Sequence, residues 1–487
     1  MSITMICVEK ELDSSETKAD KCTKVPVDES NWFAIATQTI ILTLTVCAAL
    51  YQNCDDVVQN GIAYSYVTAL FILLTMSNSQ HPFEIVYSFF IPWGLSYMFN
   101  RPLCIINLIL TLNVTSKNRM LVTFGQLSSC YLSGSNPGQC IIAIILNATF
   151  AWILEIVGQL KSLDRIDCNL FSILLTNVFY LITATRPESE MSSIPFKIVQ
   201  GTLGAFVCTA ATDGITAIFA NSAARLPATA AAFPLFTHIF LQMAGVHTPL
   251  LWLADYIYTS DTRLTIFGSW LTLVAIAVPT FMIFFQSSVS LNTSRKVWHF
   301  LIFLMIVIPF NCDQTFVKIA LAGMIPLFLS TEYIRYMRLE PIGELLEAQL
   351  RPFADGRDNN GPLIVSYIYL ILGISFPLLV FNSPVGLVSL GIGDSLASIV
   401  GKKIGKYRWP GSSKTIEGTI AFVFSTFVAC KLLQACLGYF HGVSSITIFA
   451  MCFLSAILEG NSSLNDNILI PSFMLICEKA FASASSC

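Results

Sequence analysis

Long apolar runs recur along nearly the whole 487-residue chain, and they restrict its fold more than any other feature of the sequence. Crossing the hydrocarbon of a bilayer takes roughly 20 helical residues. Runs of about that length extend from Trp32 to Tyr51, Ile62 to Met76, Phe83 to Phe99, Cys140 to Gly158, Phe171 to Ala184, Ile266 to Gln286, Leu363 to Phe381 and Thr419 to Phe440. Shorter or more polar candidates lie at Leu121 to Leu132, Val199 to Phe219, Ala230 to Ala244, Val297 to Phe310, Phe316 to Ile334, Pro384 to Val400 and Ser445 to Leu458. Together they predict an all-α, polytopic integral membrane protein with about 13 to 15 transmembrane helices. Charge is correspondingly scarce, with 12 % of residues Asp, Glu, Lys or Arg against about a quarter in soluble domains.

The first thirty residues mix acids and lysines (Glu9, Lys10, Glu11, Asp13, Glu16, Lys18) around no apolar core, which is not the layout of a signal peptide. The chain is expected to enter the membrane at its first helix. Fifteen cysteines are scattered, several inside apolar runs, and none form the close pairs of a zinc or redox site. They read as small apolar residues. A net charge of −3 offers no electrostatic footing for nucleic acid. The organisation expected is a polar tail (1–30), a membrane helix region (31–290) and a C-terminal membrane catalytic region (291–487).

Polar residues gather only after about Ser290, in four clusters. The first, Arg295-Lys296-Val297-Trp298-His299, directly precedes an apolar run; it suits an interfacial anchor as well as a site. The second carries Glu332, Arg335, Glu344 and Glu347, with Leu339, Ile342, Leu346, Leu350 and Phe353 at helical spacing, as in an amphipathic helix lying on the membrane surface. It ends in the polar stretch Asp355, Gly356, Arg357, Asp358, Asn359, Asn360, Gly361. The fourth, Glu459 to Asn467, has a carboxylate near each end with amides between. Divalent-ion binding and a hydrated loop both account for it.

The third cluster, from Gly391 to Gly418, is the most informative. Asp394 lies among apolar and small residues, where a charge at the bilayer centre costs about 2.5 to 3.5 kcal/mol. It must face protein or water. On a helix, Ser398 follows one turn later and Gly401 two turns later, so small groups line its face and permit close approach. Beyond it, Lys402, Lys403, Lys406, Arg408 and Lys414 occur with no acid before Glu417. Glycines let backbone amides approach a phosphate chain and lysines supply the compensating charge. A purely topological role for the basic residues leaves Asp394 and Glu417, which flank them, unexplained.

Between successive clusters lie pairs of spans. Two runs separate Arg295 from Arg335, two more bring the chain to Lys402, and a further pair leads to Glu459 and Asp466. All four clusters therefore fit on one membrane face, which the basic residues predict to be cytoplasmic.

From Arg295 to Cys477 the sequence resembles the dolichol kinase family and, more distantly, phosphatidate cytidylyltransferases. The most specific stretch is GDSLASIVGKKIGKYRWPGSSKTIEGT. It has the family's Gly-Asp-Ser start, spaced glycine-rich basic loop and Lys-Thr-x-Glu-Gly end. Downstream, Glu459, Ser462, Asp466 and Asn467 are similar to a family pattern in which Leu464 stands where a Gln is expected. The resemblance implies transfer of the γ-phosphoryl group of CTP to dolichol or a related polyprenol in the endoplasmic reticulum membrane, giving dolichyl phosphate for protein glycosylation. It implies CTP binding by Gly393, Ser395, Gly401, Lys402, Lys403, Gly405, Lys406 and the run Trp409, Pro410, Gly411, Ser412, Ser413, Lys414, Thr415, Ile416, Glu417 and Gly418. A divalent cation, Mg²⁺, is expected on Asp394 and Glu417. The base is left among Asp394, Asp466 and His299. Arg295, Lys296, Glu332, Asp355, Arg357, Asp358 and Glu459 are further site candidates. Any part played by the first 290 residues in holding the lipid follows from the resemblance alone.

No GxxxxGK[ST] loop is present, because the Gly411 to Thr415 run lacks its spacing. The nearest enzyme rival, a cytidylyltransferase, would attack the α-phosphate, but the segment after Glu459 contains neither GHGG nor Asp-Arg-x-Asp. Phytol or diacylglycerol is the alternative acceptor. A transporter fits the hydropathy and gives no reason for the Asp394 to Gly418 loop.

Overall fold

The computed structural model describes residues 32–51, 82–99, 102–114, 119–132, 136–158, 163–181, 190–219, 222–280, 291–354, 358, 361–410, 412–462 and 465–482. Among these residues the chain forms eighteen α-helices and no β-strand. The N-terminal region supplies α1 (Trp32–Tyr51), α2 (Pro82–Phe99), α3 (Pro102–Thr111), α4 (Arg119–Leu132), α5 (Pro137–Gly158) and α6 (Arg165–Thr176). A middle group follows: α7 (Glu190–Phe219), α8 (Ser222–Met243), α9 (Pro249–Tyr258) and α10 (Asp261–Thr280). The C-terminal region holds α11 (Leu291–Cys312), α12 (Gln314–Tyr336), α13 (Ile342–Leu350), α14 (Ser366–Phe381), α15 (Ser395–Ile404), α16 (Ile416–Leu437), α17 (Ser445–Asn461) and α18 (Asp466–Ala482). The expected run from Ile62 to Met76 and the polar tail lie outside the described residues.

Among the described residues six helices are long and apolar enough to cross a membrane: Pro137–Val157, Ile194–Phe219, Ala224–Met243, Arg295–Cys312, Gln314–Tyr336 and Ile416–Leu437. Their outward faces carry large apolar side chains, as along α5, where Ile141, Ile145, Trp152 and Ile156 are exposed. Such a continuous apolar exterior suits lipid, not water. Other apolar helices are short. The 16 residues of α14 rise only about 24 Å, less than the roughly 30 Å of hydrocarbon.

The middle group is fastened to the rest by buried charge. Arg225 of α8 donates to both carboxylate oxygens of Asp213 on α7, at 2.9 and 2.5 Å, and the Tyr333 hydroxyl of α12 donates to the same carboxylate at 2.8 Å. An intramembrane acid is tolerated when a partner neutralises it, and here three helices share one.

At the centre lies α18. From Leu469 to Cys477 every residue is buried, and the helix packs against α1 and α2 of the N-terminal region as well as α14 and α17. Its N-terminus is therefore held by both halves of the chain. The Gln38 side chain of α1 donates to the Asn461 carbonyl at the end of α17 (2.8 Å).

Candidate active site

Asp394 ends an eight-residue π-helical segment, Leu387–Asp394, which runs directly into α15. The sequence pattern predicts a regular α-helix here. A π turn widens the helix and re-aims the side chains after it, and such segments recur at functional sites. Neighbouring helices approach closely here: a Cβ on Gly393 would lie 2.5 Å from Thr426 Cγ2 and 2.8 Å from Phe422 Cε2 of α16. Asp394 consequently faces α11, where its carboxylate forms an ion pair with Lys296. His299 Nδ1 lies 3.6 Å from Asp394 Oδ2 and donates to the Leu390 carbonyl at 3.2 Å. The first cluster is thus joined to the third, with Lys296 and His299 both buried.

After α15 the chain makes a narrow excursion and returns as α16. Trp409 N–H donates to the Lys414 carbonyl (3.1 Å) and Ile416 N–H to the Tyr407 carbonyl (2.8 Å), closing the loop across the Arg408–Thr415 bridge. Thr415 caps α16 by accepting from Gly418 N–H at 3.2 Å, which satisfies an otherwise unpaired first-turn amide. Gly401, Gly405 and Gly418 crowd around this threonine, since added Cβ atoms would sit 2.7, 2.7 and 3.1 Å from its Oγ1. These three glycines bring α15 and α16 together. The Trp409 indole donates to Thr419 Oγ1 at 2.8 Å and lies against Gly460, fixing the loop to the end of α17. Lys402, Lys403, Lys406 and Arg408 remain exposed.

Lys414 carries the loop into the fourth cluster. Its ammonium lies 2.6 Å from Glu459 Oε1 and 3.0 Å from Asp466 Oδ2, and it donates to the Glu459 carbonyl at 2.8 Å. Burial pulls the pKa of this ammonium down, but Glu459 and Asp466 outweigh it and hold the group charged, above its ordinary value. Oxygens of Asp394, Glu459 and Asp466 all lie within 4.8 Å of one another. Three carboxylates from three helix ends, with Lys296 and Lys414 against them, form one centre. Carboxylate oxygens gathered this closely could be drawn onto a single ion. An all-oxygen donor set fits a hard cation.

The structure does not bring Glu417 into this group. Its carboxylate accepts from the backbone amides of Lys406 (2.9 Å) and Tyr407 (3.2 Å), holding the loop from its exposed side. Glu332 and Asp358 are likewise occupied elsewhere. Glu332 pairs with Arg335 (2.5 Å) and accepts from Ile364 N–H (2.6 Å) and the Tyr367 hydroxyl (2.6 Å). Asp358 accepts from Val365 N–H (2.9 Å) and the Ser366 hydroxyl (2.6 Å). Both acids organise the start of α14. Asp355, Arg357 and Gly411 lie outside the described residues. Gln38 belongs to no motif, and its one sequence signal is a lone amide inside the Trp32 to Tyr51 run.

Comparison with known proteins gives concordant matches. The sequence profile of the dolichol kinase N-terminal domain matches residues 28–183. A dolichol kinase of Saccharomyces cerevisiae is 44% identical over 412 residues, covering 82% of this chain and 78% of that protein. The dolichol kinase of Homo sapiens is 30% identical over 258 residues, 47% of each chain. A chloroplastic phytol kinase of Arabidopsis thaliana is 28% identical over 198 residues, 37% of this chain and 63% of the relative. No solved structure matches.

Proposed function

Since the chain belongs to the dolichol kinase family, we infer that it phosphorylates the terminal hydroxyl of dolichol at the Asp394–Glu459–Asp466 centre, with CTP as donor. The observation that carries the siting is the convergence of three carboxylates and two lysines beside an exposed basic loop. Phosphoryl transfer needs charge neutralisation and in-line positioning more than covalent participation by the protein. The basic loop, with a cation held by the carboxylates, would supply the first. Relatives named as phytol kinases support an isoprenoid alcohol as the acceptor class.

In the proposed reaction the alcohol oxygen bonds to the γ-phosphorus as the bond from that phosphorus to the β–γ bridging oxygen breaks, and CDP leaves with the electron pair. The hydroxyl proton passes to Asp466, the most open of the three acids, with its side chain 32% exposed against 13% for Asp394 and 8% for Glu459. A weakly basic carboxylate suffices, because proton loss comes late in a loose transition state. Lys402 and Lys403, with Lys296 and Arg295 close by, attract the triphosphate. Lys414 and Lys296 hold the acids together and oriented against their mutual repulsion. Mg²⁺ would be held by Asp394, Glu459 and Asp466 and would neutralise charge on the phosphate oxygens. His299 positions Asp394 by tying the π-helical segment to α11. We place the enzyme in the endoplasmic reticulum membrane with this centre on the cytoplasmic face, where basic loops concentrate.

The test is an assay of the purified full-length protein with dolichol, Mg²⁺ and position-labelled nucleotides. Label from the γ-phosphate of CTP is expected in the lipid, with none from the α-phosphate and little from ATP, GTP or UTP. Incorporation of α-label would make the enzyme a cytidylyltransferase, and preference for another nucleotide would remove CTP as donor.

A further inference from the structure

An apolar cavity of about 120 Å³ lies between α2, α3, α6, α14 and α18. Leu95, Leu103, Leu170, Leu174 and Phe376 are among its walls. Three of its polar side chains are turned on one another: Asn107 and Asn177 exchange side-chain hydrogen bonds at 3.3 and 2.9 Å, and Asn107 also donates to Ser96. What remains for an occupant is hydrocarbon. An apolar cavity of roughly 150 Å³ stays dry and takes up a hydrocarbon guest.

Its position connects it with the catalytic centre. Ile468 on α18 lines it, two residues, or about 3 Å of helix rise, beyond Asp466. Gly373 on α14 lines it too, and an added Cβ there would meet the Asn467 carbonyl oxygen. From that level the lining continues along α14 from Leu372 to Val380, about 12 Å. A second groove, beside Val297, Trp298 and Leu301, opens on the opposite side of α11 from Lys296 and His299, given 100° per residue. It leads away from the carboxylates.

We propose that this cavity holds the first isoprene units of the acceptor alcohol and presents its hydroxyl to Asp466, so that the N-terminal helices form one wall of the lipid site. The proposal rests on the reading of the chain as a dolichol kinase. It gives the N-terminal region a task that its composition conceals: every cavity residue contributed by α2, α3, α6 and the turn at Asn177 falls within 28–183, the stretch matched by the N-terminal family profile. Because lipid tails are as apolar as the cavity wall, selection here comes from packing and alignment of the tail, not from its removal from water. The rest of a long tail continues into the bilayer.

The experiment uses full-length protein in micelles, with dolichol as acceptor, and a polyprenol bearing a diazirine near its hydroxyl end. Leu174→Trp, which fills the cavity, should raise KM for dolichol about tenfold without a matching change in KM for CTP. The diazirine should label peptides of α6 and α14 in the unmodified protein, and excess dolichol should suppress the labelling. An unchanged KM for dolichol in Leu174→Trp, or labelling confined to helices outside the cavity, would overturn the proposal. If Leu174→Trp does not fold, the labelling alone decides. Dolichol-suppressible labelling of α6 and α14 in a protein that phosphorylates no alcohol would uphold the cavity as a polyprenol site and refute the kinase reading.

Discussion

Asp394→Asn lowers turnover with dolichol by about three orders of magnitude or more, the scale of losing a preorganised charge at a phosphoryl-transfer centre. Asparagine keeps the shape of the side chain and removes the charge that faces Lys296 and the two other acids. Stability falls as well, because the Lys296 ammonium, with its side chain 10% exposed, is left without that carboxylate. Breaking such a buried pair costs about 3 kcal/mol or more. Asp394→Glu separates the two effects. It retains the negative charge and a partner for Lys296, so the thermal melt of the purified protein should stay close to that of the parent. Its carboxylate is displaced by about one methylene, and a misplacement near 1 Å costs about 10²-fold in rate. A folded Asp394→Glu or Asp394→Asn protein with normal kcat would remove Asp394 from the centre.

Lys414→Met should reduce kcat/KM for the nucleotide about 10²- to 10³-fold and enlarge the stabilisation by Mg²⁺. Lys414 bridges Glu459 and Asp466 at 2.6 and 3.0 Å. Without it the two acids and Asp394 stand together with Lys296 as the one cation still paired within the group, and close like charges repel strongly in a poorly screened site. The variant should therefore melt at a lower temperature in EDTA and be raised more by Mg²⁺ than the parent, because the ion takes over the neutralising role. If Mg²⁺ shifts the two melting curves equally, Lys414 is not in balance with a cation at these carboxylates.

Much of the centre was legible because charge is rare in this chain. Asp394 and the basic glycine-rich loop drew attention through the cost of placing a carboxylate in an apolar helix and the need for cations near phosphate. Which carboxylates meet was not legible. Asp394 and Asp466 are brought together by the packing of the π-helical segment, α16 and α18, and nothing local to Glu459 distinguishes it from Glu417. Each borders an apolar run and precedes a glycine, yet one faces Lys414 and the other binds loop amides. The acids of the second cluster misled for a related reason: Glu332 and Asp358 have the composition of a site and serve as anchors for the start of α14. Gly401, Gly405 and Gly418, expected to admit phosphate, also pack α15 against α16 around Thr415. The fold class followed directly from the apolar runs. Helix lengths did not, since a 16-residue apolar helix such as α14 and a full crossing share the same composition. The cavity was hidden most completely, because side chains that line a lipid tail site and those that face the bilayer are the same residue types.

Binding of Mn²⁺ in the presence of CTP, followed by electron paramagnetic resonance on the purified full-length protein, decides whether Asp394, Glu459 and Asp466 form one cation-binding phosphoryl-transfer centre. A single bound ion per chain is expected in the parent and in Glu417→Ala. That signal should be lost in Asp394→Asn, Glu459→Gln and Asp466→Asn, each shown folded by its melt. Retention of the ion in Glu459→Gln together with its loss in Glu417→Ala would return the metal to the loop.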